Sequence, residues 1–346
     1  MSVVRGVATL LPSHAYSRED IHRVSAQWLG DSPHQRDLFD RFVDNSQIQH
    51  RHFAIPLETI VTMQGTKERA EHFQREGRQL LRAVIEDLLR TEGVAASAVE
   101  HLIFTSCSSP SIPALDASVV NDVGFKPSIK RIPVYQHGCA GGVVGLGMAH
   151  RLLKDGELCL LSSVELCSLV YQPDDLSGGN LVGSAIFGDG AAAVLLADSG
   201  DGLRILDAQS YLVPESVHLM GYGIEDDGPH LRLDRALPQA LSRHAPPFVT
   251  EVLGAHGLAH HDIQWWLFHP GGVKVLAALE SALSISRERS RWAWDVLERY
   301  GNMSSASVLF VLDAFMKSGV AKKGDRVCML GVGPGLTIES ILFEQQ

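Results

Sequence analysis

At 346 residues, with 45% hydrophobic and 20% charged content, the chain can bury a large core and has the balance of an ordinary globular protein. A formal net charge of −10 argues against nonspecific nucleic-acid binding and against an anionic membrane surface. Five cysteines, with no Cys-x-x-Cys pair, exclude a zinc ribbon and a disulfide framework and fit a reducing cytoplasm.

No apolar run approaches the ~20 residues of a membrane span. Residues 1–14 lack a long apolar stretch and meet Pro12 early, so they do not read as a signal peptide. Residues 15–55 carry mixed helical patterning and scattered charge without a motif. Between Thr66 and Glu92, Phe73, Leu80, Leu81, Val84, Ile85, Leu88 and Leu89 recur at helical spacing, which predicts one amphipathic helix ending at Gly93, a good C-cap. Residues 101–104 predict a buried strand running into a polar loop, 105–110. A β-favouring run, 132–135, stops near Gly138; Cys139 and a small, aliphatic helical segment follow. That spells strand, tight elbow and buried helix. A strand over 158–163 comes next, and Gly188-Asp189-Gly190 leads into a β-rich run, 191–196.

The same order then returns. Residues 248–255 are helical, Gly257 caps them, and the strand 265–268 enters His269-Pro270-Gly271-Gly272. Gly93 to Phe104 and Gly257 to Phe268 are both 11 residues apart; Phe104 to Cys139 is 35 and Phe268 to Asn302 is 34. Asn302 is expected to open a second small-residue helix over 302–310. A strand over 326–330 follows, and Gly331-Val332-Gly333 precedes a β-rich run, 336–343. This is an internal duplication of a strand–helix unit. It predicts an α/β fold with two mixed sheets, helices between and outside them, and halves at 1–200 and 201–346. The helices beginning at Cys139 and Asn302 are expected at the centre, since both are apolar and small all round. Residues 165–184 have no counterpart in the second half and read as a loop elaboration on the functional face.

Cys139 at a helix start sits where unsatisfied amides and the dipole favour a thiolate. The alternative is a buried structural cysteine. Equivalent positions of a duplicated fold meet about a pseudo-twofold axis, which would bring Cys139, Asn302 and His269 together. Imidazolium beside the thiol would lower its pKa and activate it. An asparagine amide and an imidazole N–H would stabilise an oxyanion. Singly, His269 is an unremarkable histidine among 16 and Asn302 a helix cap.

Five motifs in order, Gly138-Cys139-Ala140-Gly141-Gly142, 185–192 (Ala-Ile-Phe-Gly-Asp-Gly-Ala-Ala), Phe268-His269-Pro270-Gly271-Gly272, Tyr300-Gly301-Asn302-Met303-Ser304-Ser305 and Gly333-Pro334-Gly335-Leu336-Thr337, resemble the thiolase-fold condensing enzymes. Within these the chain resembles the type III polyketide synthases of the chalcone and stilbene synthase kind. The resemblance implies duplicated βαβαβ layers stacked α-β-α-β-α about two central buried helices. It implies that Cys139 carries the acyl chain as a thioester. His269 and Asn302 would stabilise the enolate of a decarboxylating malonyl thioester and assist the Claisen condensation, with cyclisation following. Phe187 would gate the cavity and Ser304 would line it. It also implies a homodimer in which Ile112 completes the partner's cavity, no cofactor, and coenzyme A or carrier-protein thioesters as substrates.

Departures from the plant pattern carry information. The second gate phenylalanine falls at Leu231 by register, and the phenylalanine of the Gly-Pro-Gly loop is Val332. Three cavity threonines become Cys107, Cys167 and Val170, so the wall is less polar. Cys107 matches bacterial members that carry a second active-site cysteine; it reads either as wall packing or as a second reactive thiol. Of the basic residues that grip coenzyme A, only Arg41 remains, beside Leu38 and Asn45, with Lys274 a substitute at the tunnel mouth. Delivery by an acyl carrier protein therefore stays open. A stand-alone or initiation ketosynthase, and a catalytically dead homologue acting as a binding subunit, are the competing readings.

Overall fold

The computed structural model describes residues 2–63, 65–108, 111–226 and 228–346; Ser109 and Pro110 of the expected polar loop lie outside them. The first half comprises β1 (Ser2–Leu10), β2 (His14–Ser17), α1 (Arg18–Trp28), α2 (Pro33–Asn45), β3 (His50–Phe53), α3 (Leu57–Ile60), α4 (Thr66–Glu92), β4 (His101–Ser106), α5 (Asp116–Val123), β5 (Lys130–Tyr135), α6 (Gly141–Leu152), β6 (Leu158–Leu166), α7 (Gly178–Ile186) and β7 (Asp189–Ala197). The second comprises β8 (Leu203–Leu212), β9 (Met220–Glu225), β10 (Gly228–Leu233), α8 (Leu237–Gly254), β11 (Ile263–Phe268), α9 (Val273–Leu283), α10 (Arg287–Tyr300), α11 (Ser307–Ser318), β12 (Arg326–Gly333) and β13 (Thr337–Gln345).

The expected α4 is present residue for residue. It buries Phe73, Leu81, Val84, Ile85, Leu88 and Leu89, and Gly93 closes it in the left-handed region at φ 63°. Its apolar face lies on β1, β6 and β7. Ile85→Ala there would cost about 2–5 kcal/mol through lost transfer energy and a cavity. The unassigned 15–55 region forms α1 and α2 with the small β2–β3 ribbon, and a Ser17–Asp20 capping box starts α1.

The strands run β11-β12-β13-β8-β1-β7-β6-β4-β5 in one nine-stranded sheet, not two. The physical reason is β1. It pairs with β7 from Val3 to Leu10, and its first residues, Ser2 to Val4, also pair with Leu203 to Ile205 of β8. That short seam joins the sheets of the two halves. The sheet wraps α6, which packs on β4 and β6 from the first half and on β8, β12 and β13 from the second. On the other side of the seam, α11 packs on β1, β7 and β11. The two central helices are thus enclosed, as their composition predicts.

Three local expectations are corrected. Residues 165–184 are not a loop: β6 continues through Leu166, a 3-10 turn covers Cys167–Val170, and α7 starts at Gly178 with Ser177 as N-cap, accepting from the Asn180 N–H. The buried Glu165, satisfied by four donors described below, lets the strand run on. Residues 248–255 are the end of a longer α8, and Gly257 lies two residues beyond its C-cap Ala255. Asn302 does not open a helix. A 3-10 turn spans Ser304–Ala306 and α11 begins at Ser307, because the Asn302 main chain is engaged with Phe187 instead. The matching turn in the first half, Gly138–Ala140, carries Cys139 and leads into α6.

Candidate active site

The two 3-10 turns pack against each other across the helix pair. Contact is close because the residues are small: a Cβ on Gly142 would stand 2.5 Å from the Ser305 carbonyl oxygen, and one on Gly141 2.3 Å from Thr105 Oγ1. Cys139 lies at the floor of a pocket with His269 from the end of β11 and Asn302 from the segment before the second turn. Phe187, Ile186, Val332, Met220, Leu233, Leu237 and Val275 supply its apolar walls. Among the three expected chemical residues, every one is in this pocket.

Each side chain is held differently. The Ser304 N–H donates to Asn302 Oδ1 at 2.9 Å, which turns the amide nitrogen away, toward the Gly271 carbonyl at 3.5 Å. Asn302 N–H donates to Ile186 O at 2.8 Å and Gly188 N–H donates to Asn302 O at 3.0 Å, tying the segment to Phe187. His269 is fixed by its main chain, whose N–H donates to Leu330 O at 2.8 Å. Neither ring nitrogen of His269 has a hydrogen-bond partner among the described residues, although the residue is only 2% exposed.

Burial dominates the electrostatics. It pushes the Cys139 thiol up to about 11; hydrogen bonds from Ser304 and Asn302 pull it down without offsetting the loss of water. Burial likewise takes His269 down to about 3. The lowered thiol pKa expected from sequence is therefore not a property of either group alone. Each charge is costly singly; a thiolate and an imidazolium formed together would offset one another's penalty.

Glu165 stands behind this pocket, fully buried, at the end of β6. It accepts from Cys107 N–H at 3.0 Å, Ser108 Oγ at 2.8 Å, Ser305 Oγ at 2.5 Å and Ser106 Oγ at 3.3 Å. Burial raises its pKa against these donors. Cys107 lies 3.2 Å from Ser304 Oγ, and burial with Glu165 nearby raises its thiol well above the ordinary value.

On the other side of Phe187 a second pocket opens. Cys167, Val170, Gly183, Leu231 and Tyr222 line its near end. Its far end is aromatic and aliphatic: Ile21, Val24 and Trp28 from α1, Phe39 from α2, and Phe53, Leu57 and Ile60. Phe187 and Leu231 both border it, and only Phe187 also borders the Cys139 pocket.

The family models for chalcone and stilbene synthases match both halves, the N-terminal domain over residues 3–199 and the C-terminal domain over 204–345. The chain belongs to the chalcone and stilbene synthase family. It is 33% identical to the 1,3,6,8-tetrahydroxynaphthalene synthase of Streptomyces peucetius subsp. caesius, over 98% of this chain and 92% of that one. Identity to the phloroglucinol synthase of Pseudomonas fluorescens is 29%, over 97% of each. The crystal structure of the Streptomyces coelicolor 1,3,6,8-tetrahydroxynaphthalene synthase, a bacterial type III polyketide synthase, superposes with a TM-score of 0.95 at 30% identity and 99% coverage of both chains. The thiolase-like α/β architecture and the assignment to condensing acyltransferases follow from these matches.

Within this family member the remaining expected positions divide. Cys167, Val170 and Leu231 line the pocket beyond Phe187, and Ser304 bridges the two thiols of Cys139 and Cys107. Ile112 is fully exposed on the surface. Arg41, on α2, is exposed, its Nε on the Asp37 carbonyl, and Lys274, in the first turn of α9, is exposed beside the pocket-lining Val275. Neither lines the two pockets. Sequence reasoning missed Glu165, Arg51, and the Ile21, Trp28 and Phe39 wall. A charged residue interrupting the apolar strand 158–166 was the available signal for Glu165; the wall residues carry ordinary amphipathic spacing and gave none.

Proposed function

We propose that this chain catalyses decarboxylative Claisen condensation of malonyl thioester onto an acyl group held on Cys139, followed by cyclisation. The observation that carries this reading is His269: a buried imidazole with two unpartnered ring nitrogens, sharing a pocket with a thiol and a fixed amide. Such a ring invites a polar atom of a substrate, since an unmet buried donor or acceptor costs about 1–3 kcal/mol. Acyl transfer begins when the Cys139 sulfur attacks a thioester carbonyl and its proton passes to His269; the carrier's thiolate departs, takes that proton and leaves the ring neutral. A malonyl thioester then places its carbonyl oxygen between the His269 ring and the Asn302 amide. Loss of carbon dioxide leaves the enolate, whose oxygen these donors stabilise. The enolate carbon attacks the Cys139 thioester, and the sulfur departs.

Apolar lining supports an aliphatic or malonyl-derived starter over a coumaroyl one. The pocket beyond Phe187 has Cys167 and Val170 at two positions where the plant pattern has threonine, beside Ser25, Asn180 and Tyr222. The tetrahydroxynaphthalene and phloroglucinol synthases similar to this chain support an aromatic product. The exposed Ile112 supports a homodimer in which it enters the partner's cavity, and the two homologous halves support a boundary near residue 200. Exposed Arg41 and Lys274 are the candidates for gripping the phosphates of coenzyme A at the entrance. Mass spectrometry of products from a panel of acyl-CoA starters with malonyl-CoA tests the reading. Polyketide pyrones or phenols are expected; no extension of any starter, and no product from malonyl-CoA alone, would overturn it.

A further inference from the structure

Arg51, on β3, is 4% exposed, and a buried guanidinium must have a use that outweighs its desolvation. Its hydrogen bonds go to main-chain carbonyls: Nη1 donates to Ser184 O at 2.5 Å and to Phe187 O at 2.9 Å. Ser184 is in the last turn of α7 and Phe187 is its extended C-cap. The last carbonyls of a helix lack intrahelical partners, and a cation is favoured there. Here they are met by two outside groups, Arg51 at Ser184 and the Asn302 N–H at Ile186.

The same side chain reaches the other partner of the reaction. Its stem passes Gly301, where a Cβ would stand 3.3 Å from Arg51 Cγ and Cδ and 2.7 Å from Ile186 O. Gly301 adopts φ 73° and precedes Asn302. The residue after β3 holds the far side of the gate as well: the Ala54 N–H donates to Asp189 Oδ2 at 2.9 Å, two residues past Phe187. Burial raises the Asp189 carboxyl to about 6, while hydrogen bonds from Ser168 and the Ala54 N–H, and then the Arg51 charge, favour its ionised form.

We propose that Arg51 is a positioning residue that sets the placement of Phe187, and through the Phe187–Asn302 bridge that of the Asn302 amide. The proposal rests on the condensation reading above. Arg51 is absent from the lining of the Cys139 pocket, although it borders the pocket beyond Phe187. It fixes the main chain that carries the gate ring and abuts the donor segment, so its loss shifts geometry rather than chemistry. A misplacement of about 1 Å can cost about 10²-fold in rate.

A double-mutant cycle with Arg51→Lys and Phe187→Ala tests it. Lysine keeps the charge but lacks the planar, rigidly aimed Nη1 group whose two N–H bonds meet both carbonyls. Arg51→Lys is expected to lower condensation turnover roughly 10- to 100-fold and to change product chain length. The KM for malonyl-CoA should stay within about 3-fold, because the entrance is untouched. Phe187→Ala should absorb the chain-length effect, so the double variant gives the products of Phe187→Ala alone. Additive effects, or an unchanged product profile in Arg51→Lys, would overturn the proposal. Should Arg51→Lys fail to fold, Arg51→Gln, which keeps an amide donor, takes its place with the same outcomes. Failure of the functional reading is separable: a wild-type protein that makes no polyketide sinks that reading, while crystal structures of wild type and Arg51→Lys still decide Arg51. Displacement of the Phe187 main chain is expected; an unmoved Phe187 and Asn302 contradict it.

Discussion

Two turns of the same shape, one in each half, lead into the central helices, and they are held in place by different forces. The turn bearing Cys139 is fixed by steric packing. Gly138 has φ 51°, and a Cβ on it would meet Pro334 at 2.6 Å, so no larger residue fits beside the thiol. The turn after Asn302 is fixed by hydrogen bonds: Ser304 N–H to Asn302 Oδ1, Met303 N–H to Ser307 Oγ at 2.6 Å, and Ser305 Oγ to Glu165. A nucleophile needs a rigid place and a free lone pair. An amide donor needs its own acceptor already occupied, so that its N–H is committed to the substrate. Duplication supplied one scaffold, and the two copies divided these tasks.

The sharpest way to break that division is at sulfur. Cys139→Ala should abolish elongation, since no other residue would hold the acyl chain as a thioester. Cys139→Gln should still release carbon dioxide from malonyl-CoA, because His269 and Asn302 remain. Retained elongation in Cys139→Ala, measured by product mass spectrometry, would remove Cys139 from its role.

The donor side should give a smaller, graded loss. Asn302→Ala is expected to lower turnover by roughly 10²–10³, the range for a single oxyanion donor. His269→Ala should lower it similarly and also slow iodoacetamide alkylation of Cys139 at neutral pH, since the thiol loses the base that takes its proton. Alkylation at the wild-type rate in His269→Ala would mean that the two side chains do not act as a pair.

These residues also show how much the sequence disclosed. The repeat spacing placed Cys139, His269 and Asn302 in one pocket although its detail was wrong at Asn302. The spacing counts residues to a strand end, and strand ends are where the side chains converge; it does not register that a 3-10 turn has replaced the first turn of helix. The single sheet was not legible either, because the seam depends on three residues of β1 pairing with β8, two of which, Val3 and Val4, pair on both edges. Glu165 and Arg51 were hidden for another reason. Their partners are serine hydroxyls and main-chain carbonyls far apart in the chain, and no local pattern marks such contacts. α4, by contrast, was readable end to end, since periodicity and a terminal glycine are both local.

pH offers a third handle on the donor side. His269 has a folded pKa of about 3 against an ordinary 6.5, so between these values the unfolded chain binds more protons. Its neutral burial therefore contributes stability that is present above pH 6.5 and is lost as pH falls toward 3, by a few kcal/mol. Urea unfolding at pH 4.5 and 7.5 should show a smaller difference for His269→Gln than for wild type. An identical pH dependence in the two would contradict the buried, neutral imidazole.

The smallest expected effect is at the gate, outside both turns. Leu231→Phe should shorten the longest acyl starter accepted, because each methylene kept from burial forfeits ~0.8 kcal/mol. Specificity constants across a series of acyl-CoA lengths measure it. An unchanged length profile would show that Leu231, although it lines the pocket with Phe187, does not limit the chain.

This division of labour gives the first turn the nucleophile and leaves the donors, His269 and Asn302, at the end of β11 and just before the second turn. Its most direct test is peptide mapping by mass spectrometry of protein quenched during turnover with an acyl-CoA starter and malonyl-CoA. Acyl and extended-acyl adducts are expected on the peptide containing Cys139, and none there in Cys139→Ala. Adducts on the Cys107 peptide during productive turnover, with Cys139 unmodified, would contradict it.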